Sequence, residues 1–549
     1  MMTSPPLAPP PPPPLSYPHK PHIHFAQGCL LGMKTHDISG GIIAGGEFHA
    51  WIGCFMSEPG GGWEHISSED LVHWHIEQPF RPEQAEAFSA GAVGVDDDGE
   101  AFAVVCAVGG PGKLPSPFNI YPFTNRSNNA WAEPTPLFNV YAARQYPGDP
   151  PRPWKGVDGR WRALVSFNGC NATTPEHPPE ASNCPGGGAA PMWSSPALHG
   201  PHADWRYEGV LLLTNETVLN GRDGLPLRPN VHEFVTSDFF PVAGHPSVNA
   251  VFITSLYGNS PPLDGTWNYL VAYVGHQPTP GAPLSVHRCV CLDWSAFVRT
   301  KGWHGLDAAL IDGTTFGIGK SMRSGPPDTG RRVLLAWMNN GFWNGAHDPR
   351  TDNDDSLPRD ALSLPRDLSF SSKGRLLQRY VPELQSLRRS HEALPPRRLV
   401  EEEMWLATRG RQLELFARFE VADAANASFG LQVLAGSYER TVLGIDLADD
   451  LAYIDRSLSS GSVPLLPEQA DVRAGLLPPR GELTSAKANR TFELHAYIDG
   501  PIVTMIVSNE TALSVYVYPQ RNESIGVAVW ASGIVAAASV DVWELASAA

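Results

Sequence analysis

The sequence has no apolar run approaching the roughly 20 residues that a membrane-spanning helix needs. It is also short of cations: 40 Lys and Arg stand against 57 Asp and Glu, a formal net charge of −17. That balance argues against a nucleic-acid partner, because phosphates reward clustered Lys and Arg. Its seven cysteines form no Cys-x-x-Cys pair and no Cys/His spacing of a zinc site. The N-terminus lacks the basic start and apolar stretch of a secretory signal. Long amphipathic helical patterns are scarce as well, which turns the reading toward short strands and turns. No membrane partner, metal or cofactor is indicated, and nothing fixes an oligomeric state.

What is present fits that direction. The 549 residues exceed a single-core domain, so at least two domains are expected. Fifty-three Pro, 52 Gly and 16 Trp suit many short strands and turns. Residues 1–20 carry a proline tract, Pro9 to Pro14, which reads as a disordered, polyproline-like N-terminus. Seven Asn-x-Ser/Thr sequons occur, at Asn125, Asn171, Asn215, Asn426, Asn489, Asn509 and Asn522. That excess over chance points to a glycosylated, secreted, cell-wall or vacuolar protein.

One pattern recurs: a β-rich run, a Gly-containing turn, and a second β-rich run. The turn glycines are Gly46, Gly99, Gly159, Gly265 and Gly330, spaced by 53, 60, 106 and 65 residues. Glycine suits such turns because hairpins demand positive φ. Four-stranded units at a pitch of roughly 40–50 residues are the signature of propeller blades. Five hairpins predict five blades over residues 21–387; an irregular β-sandwich is the alternative. Residues 170–190 read as a loop insertion, with Cys170 and Cys184 placed to close it by a disulfide or to remain unpaired thiols. Residues 388–400 are basic and carry prolines, which reads as a linker. From 401 to 549 alternating strands return, as in a β-sandwich.

A propeller gathers the start of each innermost strand around one axis. Asp37 lies nine residues before Gly46, Asp149 ten before Gly159, and Ser89 ten before Gly99. Two carboxylates and a hydroxyl therefore share one blade position. Paired carboxylates near a common axis can act as nucleophile and acid in glycoside cleavage. Taken singly, each Asp fits a turn or cap equally well. Trp51, Trp63 and Trp74 are candidates to stack on a sugar ring, against the plain alternative of core packing. Trp63 is preferred because its loop is expected to rim the funnel. His65 and His73 read as structural or rim groups.

Several motifs, in order, resemble glycoside hydrolase family 32, the β-fructofuranosidases. They run from Ile23-His24-Phe25 through His36-Asp37-Ile38-Ser39-Gly40, Trp63-Glu64-His65 and Asp70-Leu71-Val72-His73-Trp74. Phe88-Ser89-Ala90-Gly91-Ala92, Gly148-Asp149-Pro150, Glu233-Phe234 and Asp238-Phe239-Phe240-Pro241 follow. Ser363-Leu364-Pro365-Arg366, Val381-Pro382-Glu383-Leu384 and Ile454-Asp455-Arg456-Ser457 complete the series. The resemblance implies a five-bladed β-propeller followed by a β-sandwich, and a retaining mechanism. It implies Asp37 as nucleophile, Glu233 as general acid and base, and Asp149 as transition-state stabiliser, with His36, Ser89 and Trp63 toward the substrate.

The chain also departs from that pattern. His36 and Ile38 replace the Asn and Pro that flank the nucleophile. Gly148 stands where the family has an Arg, which removes a guanidinium fork. Gly53 replaces a glutamine, Thr504 a glutamate, and two extra residues separate Glu233 from Asp238, the rival acid. The resemblance thus implies cleavage of β-fructofuranosides such as sucrose or fructans. A fructosyltransferase and a non-catalytic sugar-binding relative are the competing readings.

Overall fold

The computed structural model describes residues 21–26, 34–44, 46–55, 62–80, 91–96, 98–106, 118–125, 130–137, 152–168, 188–213, 231–260, 263–286, 309–312, 316–324, 330–339, 360–421, 426–448, 451–460, 472–476 and 490–548. Nearly all of them belong to antiparallel sheets, arranged as a five-bladed β-propeller and a C-terminal β-sandwich.

Blade one is the meander Lys34–Ala44, Glu47–Phe55, Gly62–Ser68 and His75–Ile76. Blade two is built on Gly91–Val95, Ala101–Cys106 and Phe118–Asn125, with short outer pieces Ala130–Trp131 and Thr135–Pro136. Blade three runs Trp154–Lys155, Trp161–Leu164, Gly188–Ser195 and Arg206–Leu213. Blade four is Val231–Pro241, Ala250–Ser260 and Leu263–His276, edged by Ser285–Val286 and Ala309–Asp312. Blade five is Phe316–Ser324, Arg331–Asn339, Arg366–Phe370 and Leu376–Tyr380, with Asp360–Leu362 beside its second strand. Phe167–Asn168 pairs both with blade three, at Gly188 and Ala189, and with blade four, at Glu233. It therefore zips two blades into one ladder.

The turn glycines mostly stand where the repeat put them. Gly46, Gly99 and Gly159 have φ of 93°, 78° and 79° and join the first two strands of blades one, two and three. Gly265 differs. It falls inside Leu263–His276, at a register shift, and the strand pairs on past it. Gly330 directly precedes Arg331–Asn339.

The first strands of four blades converge on the axis. Blade one's first strand packs on those of blades two and five, and blade four's packs on blade five's. Two adjacent glycines make this approach feasible. Gly40 has φ 131°, and a Cβ there would sit 3.1 Å from the Val93 nitrogen of blade two. A Cβ at Gly41 would sit 2.6 Å from the Met322 methyl of blade five. Larger residues would push the inner strands apart.

The sandwich is organised by its last strand, Gly526–Leu545. Its first half pairs with Ser428–Ala435 and its second half with Gln412–Val421, so it passes from one sheet to the other. Gly533, at φ 100°, lies at the switch. The core between the sheets is Leu413, Leu415, Phe419, Phe429, Leu431 and their neighbours.

The expected linker is a correction. A 3-10 turn, Pro382–Leu387, leads straight into a 22-residue strand, Arg388–Arg409, that pairs along the last strand. Pro395 and Pro396 fall in a register shift between Leu394 and Arg397, where a missing N–H costs no ladder bond. Arg389, Arg397 and Arg398 are exposed, where charge discourages edge-to-edge association.

Propeller and sandwich are joined by buried contacts. Arg366 of the Leu-Pro-Arg motif reaches Gln378 Oε1 at 3.1 Å and Thr504 and Ser514 hydroxyls at 3.3 Å. Thr504, one of the departures, also meets the Tyr380 hydroxyl at 2.8 Å. Asp499 accepts the backbone N–H groups of His22, Ile23 and His24 at 2.7–2.9 Å, tying the N-terminal segment to the sandwich. Cys170 and Cys184 lie outside the described residues.

Candidate active site

His36 and Asp37 lie in blade one's first strand, within a register shift between Thr35 and Ile38. Glu233 is the third residue of blade four's first strand, opposite Tyr257 on one side and Asn168 on the other. The side chains of these three are outside the described residues, and Ser89, Gly148 and Asp149 lie wholly outside them. In sequence, Ser89 precedes Gly91–Val95 by two residues and Asp149 precedes Trp154–Lys155 by five. Gly53 stands opposite Trp63 in blade one.

Trp63 is not on a rim. It lies in the strand Gly62–Ser68 with no exposed surface, packed on Phe80 at 5.2 Å between centroids. The edge of its ring fills the space a Cβ would take at Gly91. A sealed indole presents no face to a sugar, so Trp63 is a packing residue. Trp51 is sealed too, stacked on His65 at 4.4 Å. Burial, with the neighbouring His49, lowers the His65 pKa to about 3, so this ring is neutral near neutral pH. The Asp-Leu-Val-His-Trp motif has a structural cause. Asp70 accepts the N–H groups of Val72 and His73 at 2.9 and 2.8 Å and the His73 ring at 2.7 Å. Burial opposes its ionisation, but these bonds outweigh it and hold the carboxyl at about 2.

Below the strand starts is a charged floor that composition and spacing did not reveal. Asp238 is fully buried. One carboxylate oxygen accepts from Arg152 Nη2 at 3.1 Å. The other accepts the Ser321 N–H at 2.9 Å and its hydroxyl at 2.5 Å. Arg152 Nη1 donates to the Ser321 carbonyl, also at 2.5 Å. Arg332 donates to the Ser321 hydroxyl at 2.8 Å and covers the Phe240 ring. Lys320 Nζ donates to the Ser237 carbonyl at 2.7 Å. Blades three, four and five thus meet through one carboxylate and three cations.

The floor argues against Asp238 as an acid. Burial pushes the Asp238 carboxyl up, but Arg152, Lys320 and Arg332 outweigh it and hold the group below the usual Asp range. A carboxylate already ionised and fully engaged has no proton to donate near neutral pH. Asp238 is an anchoring anion.

The strand that carries both residues is irregular between them. Register shifts occur between Val231 and Glu233 and between Val235 and Asp238. Thr236, in the second, is buried and has φ 44°, a strained value for a β-branched residue. Positions 233 and 238 stand opposite Tyr257 and Ile253. Those partners are four residues apart, an even number, so 233 and 238 share one side of the ladder although five residues separate them. The extra residue of this bulge puts the two positions on the same side.

Residues 383–544 match the family model described as "Glycosyl hydrolases family 32 C terminal". The levanase of Bacillus subtilis is 30% identical over 142 residues, 24% of this chain and 20% of the levanase. The matches to curated relatives span between 20% and 39% of those proteins' own lengths. The fold extends further than the sequence likeness. Fructan 1-exohydrolase IIa from Cichorium intybus superposes with a TM-score of 0.68 over 97% of this chain and 98% of that one, at 16% identity. A fructosyltransferase from A. japonicus superposes with a TM-score of 0.70 over 96% of each chain, at 14% identity. The likeness to this family's model is carried by residues 383–544, the sandwich, and the paired propeller and sandwich recur in these structures.

Proposed function

We propose that the protein is a retaining glycosidase acting on β-fructofuranosides, with sucrose or a fructan as substrate. The observation that carries this reading is the placement of Asp37 and Glu233 near the starts of the first strands of blades one and four, in a chain whose residues 383–544 match this family's C-terminal model. In this mechanism Asp37 attacks the anomeric carbon and forms a fructosyl-enzyme. Glu233 protonates the leaving oxygen, then draws a proton from water to release fructose. Asp149 hydrogen-bonds the fructose hydroxyls and stabilises the transition state, and Ser89 and His36 serve substrate binding. Direct attack needs the nucleophile and acid carboxyls about 5 Å apart. The acid must hold its proton at working pH, which burial and anionic neighbours favour.

The same chemistry with a sugar as acceptor would make the protein a fructosyltransferase, and Gly148 leaves room for a binder with little turnover. Incubation with sucrose, inulin and levan, followed by chromatography of the products, separates these outcomes. Free fructose is the expected result. Longer oligosaccharides would establish transfer, and absence of turnover would reject the enzyme reading. Secretion as a glycoprotein belongs to the same proposal and is supported by the exposure of Asn426 and Asn522. A mobility shift on endoglycosidase treatment of the native protein is its test.

A further inference from the structure

We propose that Arg152 is a positioning residue, which through Asp238 holds the bulged strand carrying Glu233 in its register. The proposal rests on the glycosidase reading above.

Arg152 belongs to blade three but touches three others. Its stem runs over Gly94 of blade two, where an added Cβ would meet its Cγ at 3.0 Å. Its guanidinium reaches Asp238 of blade four and the Ser321 carbonyl of blade five. Only a planar fork with separated donors serves two acceptors on different blades at once. It lies three residues after Asp149 in the sequence Asp149-Pro150-Pro151-Arg152-Pro153.

At the other end of the pair the constraint has a visible object. The bulge at Thr236 is strained, and a strained backbone persists only where its surroundings hold it. Several contacts do so. Asp238 is pinned to Arg152 and Ser321, and Lys320 holds the Ser237 carbonyl. The Ser237 hydroxyl meets those of Ser166 and Thr254. Because this bulge sets which side of the ladder position 233 shares with 238, loosening Asp238 would let the strand relax toward a regular register and move Glu233. Arg152 touches neither nucleophile nor acid in this scheme.

The test uses the full chain with Arg152→Met, Arg152→Lys and the double variant Arg152→Met/Asp238→Asn. Sucrose kinetics are measured against pH, and hydrogen exchange is followed in peptides covering 231–241. Arg152→Met should lower kcat at least tenfold with KM changed less than threefold. It should also move the alkaline limb upward, because Asp238 then keeps only Lys320 and Arg332 of its three cations and leaves more negative charge on the strand that carries Glu233. Arg152→Lys should recover part of kcat. The double variant removes that excess negative charge, so its alkaline limb should return toward the native position while kcat stays low and exchange in 231–241 stays fast. Native kcat in a folded Arg152→Met protein, or full recovery of kcat in the double variant, would overturn the proposal. Unchanged exchange in 231–241 would overturn it whatever the activity. If the native protein cleaves no fructoside but exchange quickens as expected, the positioning inference stands and the glycosidase reading fails.

Discussion

Arg388 lays Nε and Nη2 on the two carboxylate oxygens of Glu414, each at 2.7 Å, where the chain leaves the propeller for the sandwich. His495 donates to the same carboxylate at 2.8 Å, and the guanidinium also covers the Trp543 ring. Glu414 has no exposed side-chain surface, so this is a charge taken out of water and repaid by three donors.

Burial raises the Glu414 pKa, but Arg388 and His495 outweigh it and lower the value from 4.5 to about 2. A depressed folded-state pKa means that its contribution is complete above the unfolded value, near 4.5, and lost as pH falls toward 2. The contribution is on the order of 3 kcal/mol. Glu414→Gln should therefore melt earlier than the native protein at pH 7 and lose less additional stability between pH 5 and 2. Parallel melting curves for the two proteins across that window would show that Glu414 is not the titrating anchor.

Gly91→Ala should be severely destabilising. The added methyl would lie 2.1 Å from Trp63 Cζ2 and 2.7 Å from the Val104 carbonyl oxygen. One obstacle is backbone and the other a ring sealed in the core, so neither yields cheaply. Overpacking of this kind costs about 1–3 kcal/mol. Denaturant titration followed by tryptophan fluorescence reads the loss, and a change below about 0.5 kcal/mol would contradict this packing.

Asp37→Asn should abolish fructoside cleavage and leave the melting temperature within a few degrees of native. The amide keeps the shape of the side chain but has no nucleophilic oxygen. Steady-state assays on sucrose check it, and substantial turnover by the folded variant would move the nucleophile elsewhere.

The blades were legible because hairpin glycines punctuate β-rich runs, and Gly46, Gly99 and Gly159 do so with positive φ. Gly265 misled because local composition cannot distinguish a turn from a bulge inside a long strand. Arg388–Arg409 was hidden for a related reason: prolines usually end strands, but these two sit at a shift in the ladder. Trp63 was misplaced because a Trp-Glu-His triplet carries no sign of which face it buries. The axial floor was invisible in principle. Arg152, Asp238, Ser321 and Arg332 come from three blades, and only tertiary structure brings them together. The motif order did carry the likeness to the family's C-terminal domain, and the hairpin spacing put Asp37 near the start of an inner strand.

Glu233 and Asp238 make opposite predictions, and the contrast is sharper than sequence alone allowed. If Glu233 is the acid, Glu233→Ala should cut sucrose cleavage by at least a hundredfold, the range of general acid catalysis. It should spare much of the reaction with a fructosyl fluoride, whose leaving group needs no proton. It should also erase the alkaline limb of kcat/KM, which reports loss of the acid's proton. Asp238→Ala removes an anion from beside Arg152 and Arg332 and leaves those cations buried together. Its expected signature is lost stability, about 3–5 kcal/mol, with both substrates slowed alike and the alkaline limb retained. Parallel assays on sucrose and the fluoride, with a melting curve for each variant, distinguish the two. Selective rescue by the fluoride in Asp238→Ala and not in Glu233→Ala would make Asp238 the acid, against its lowered pKa.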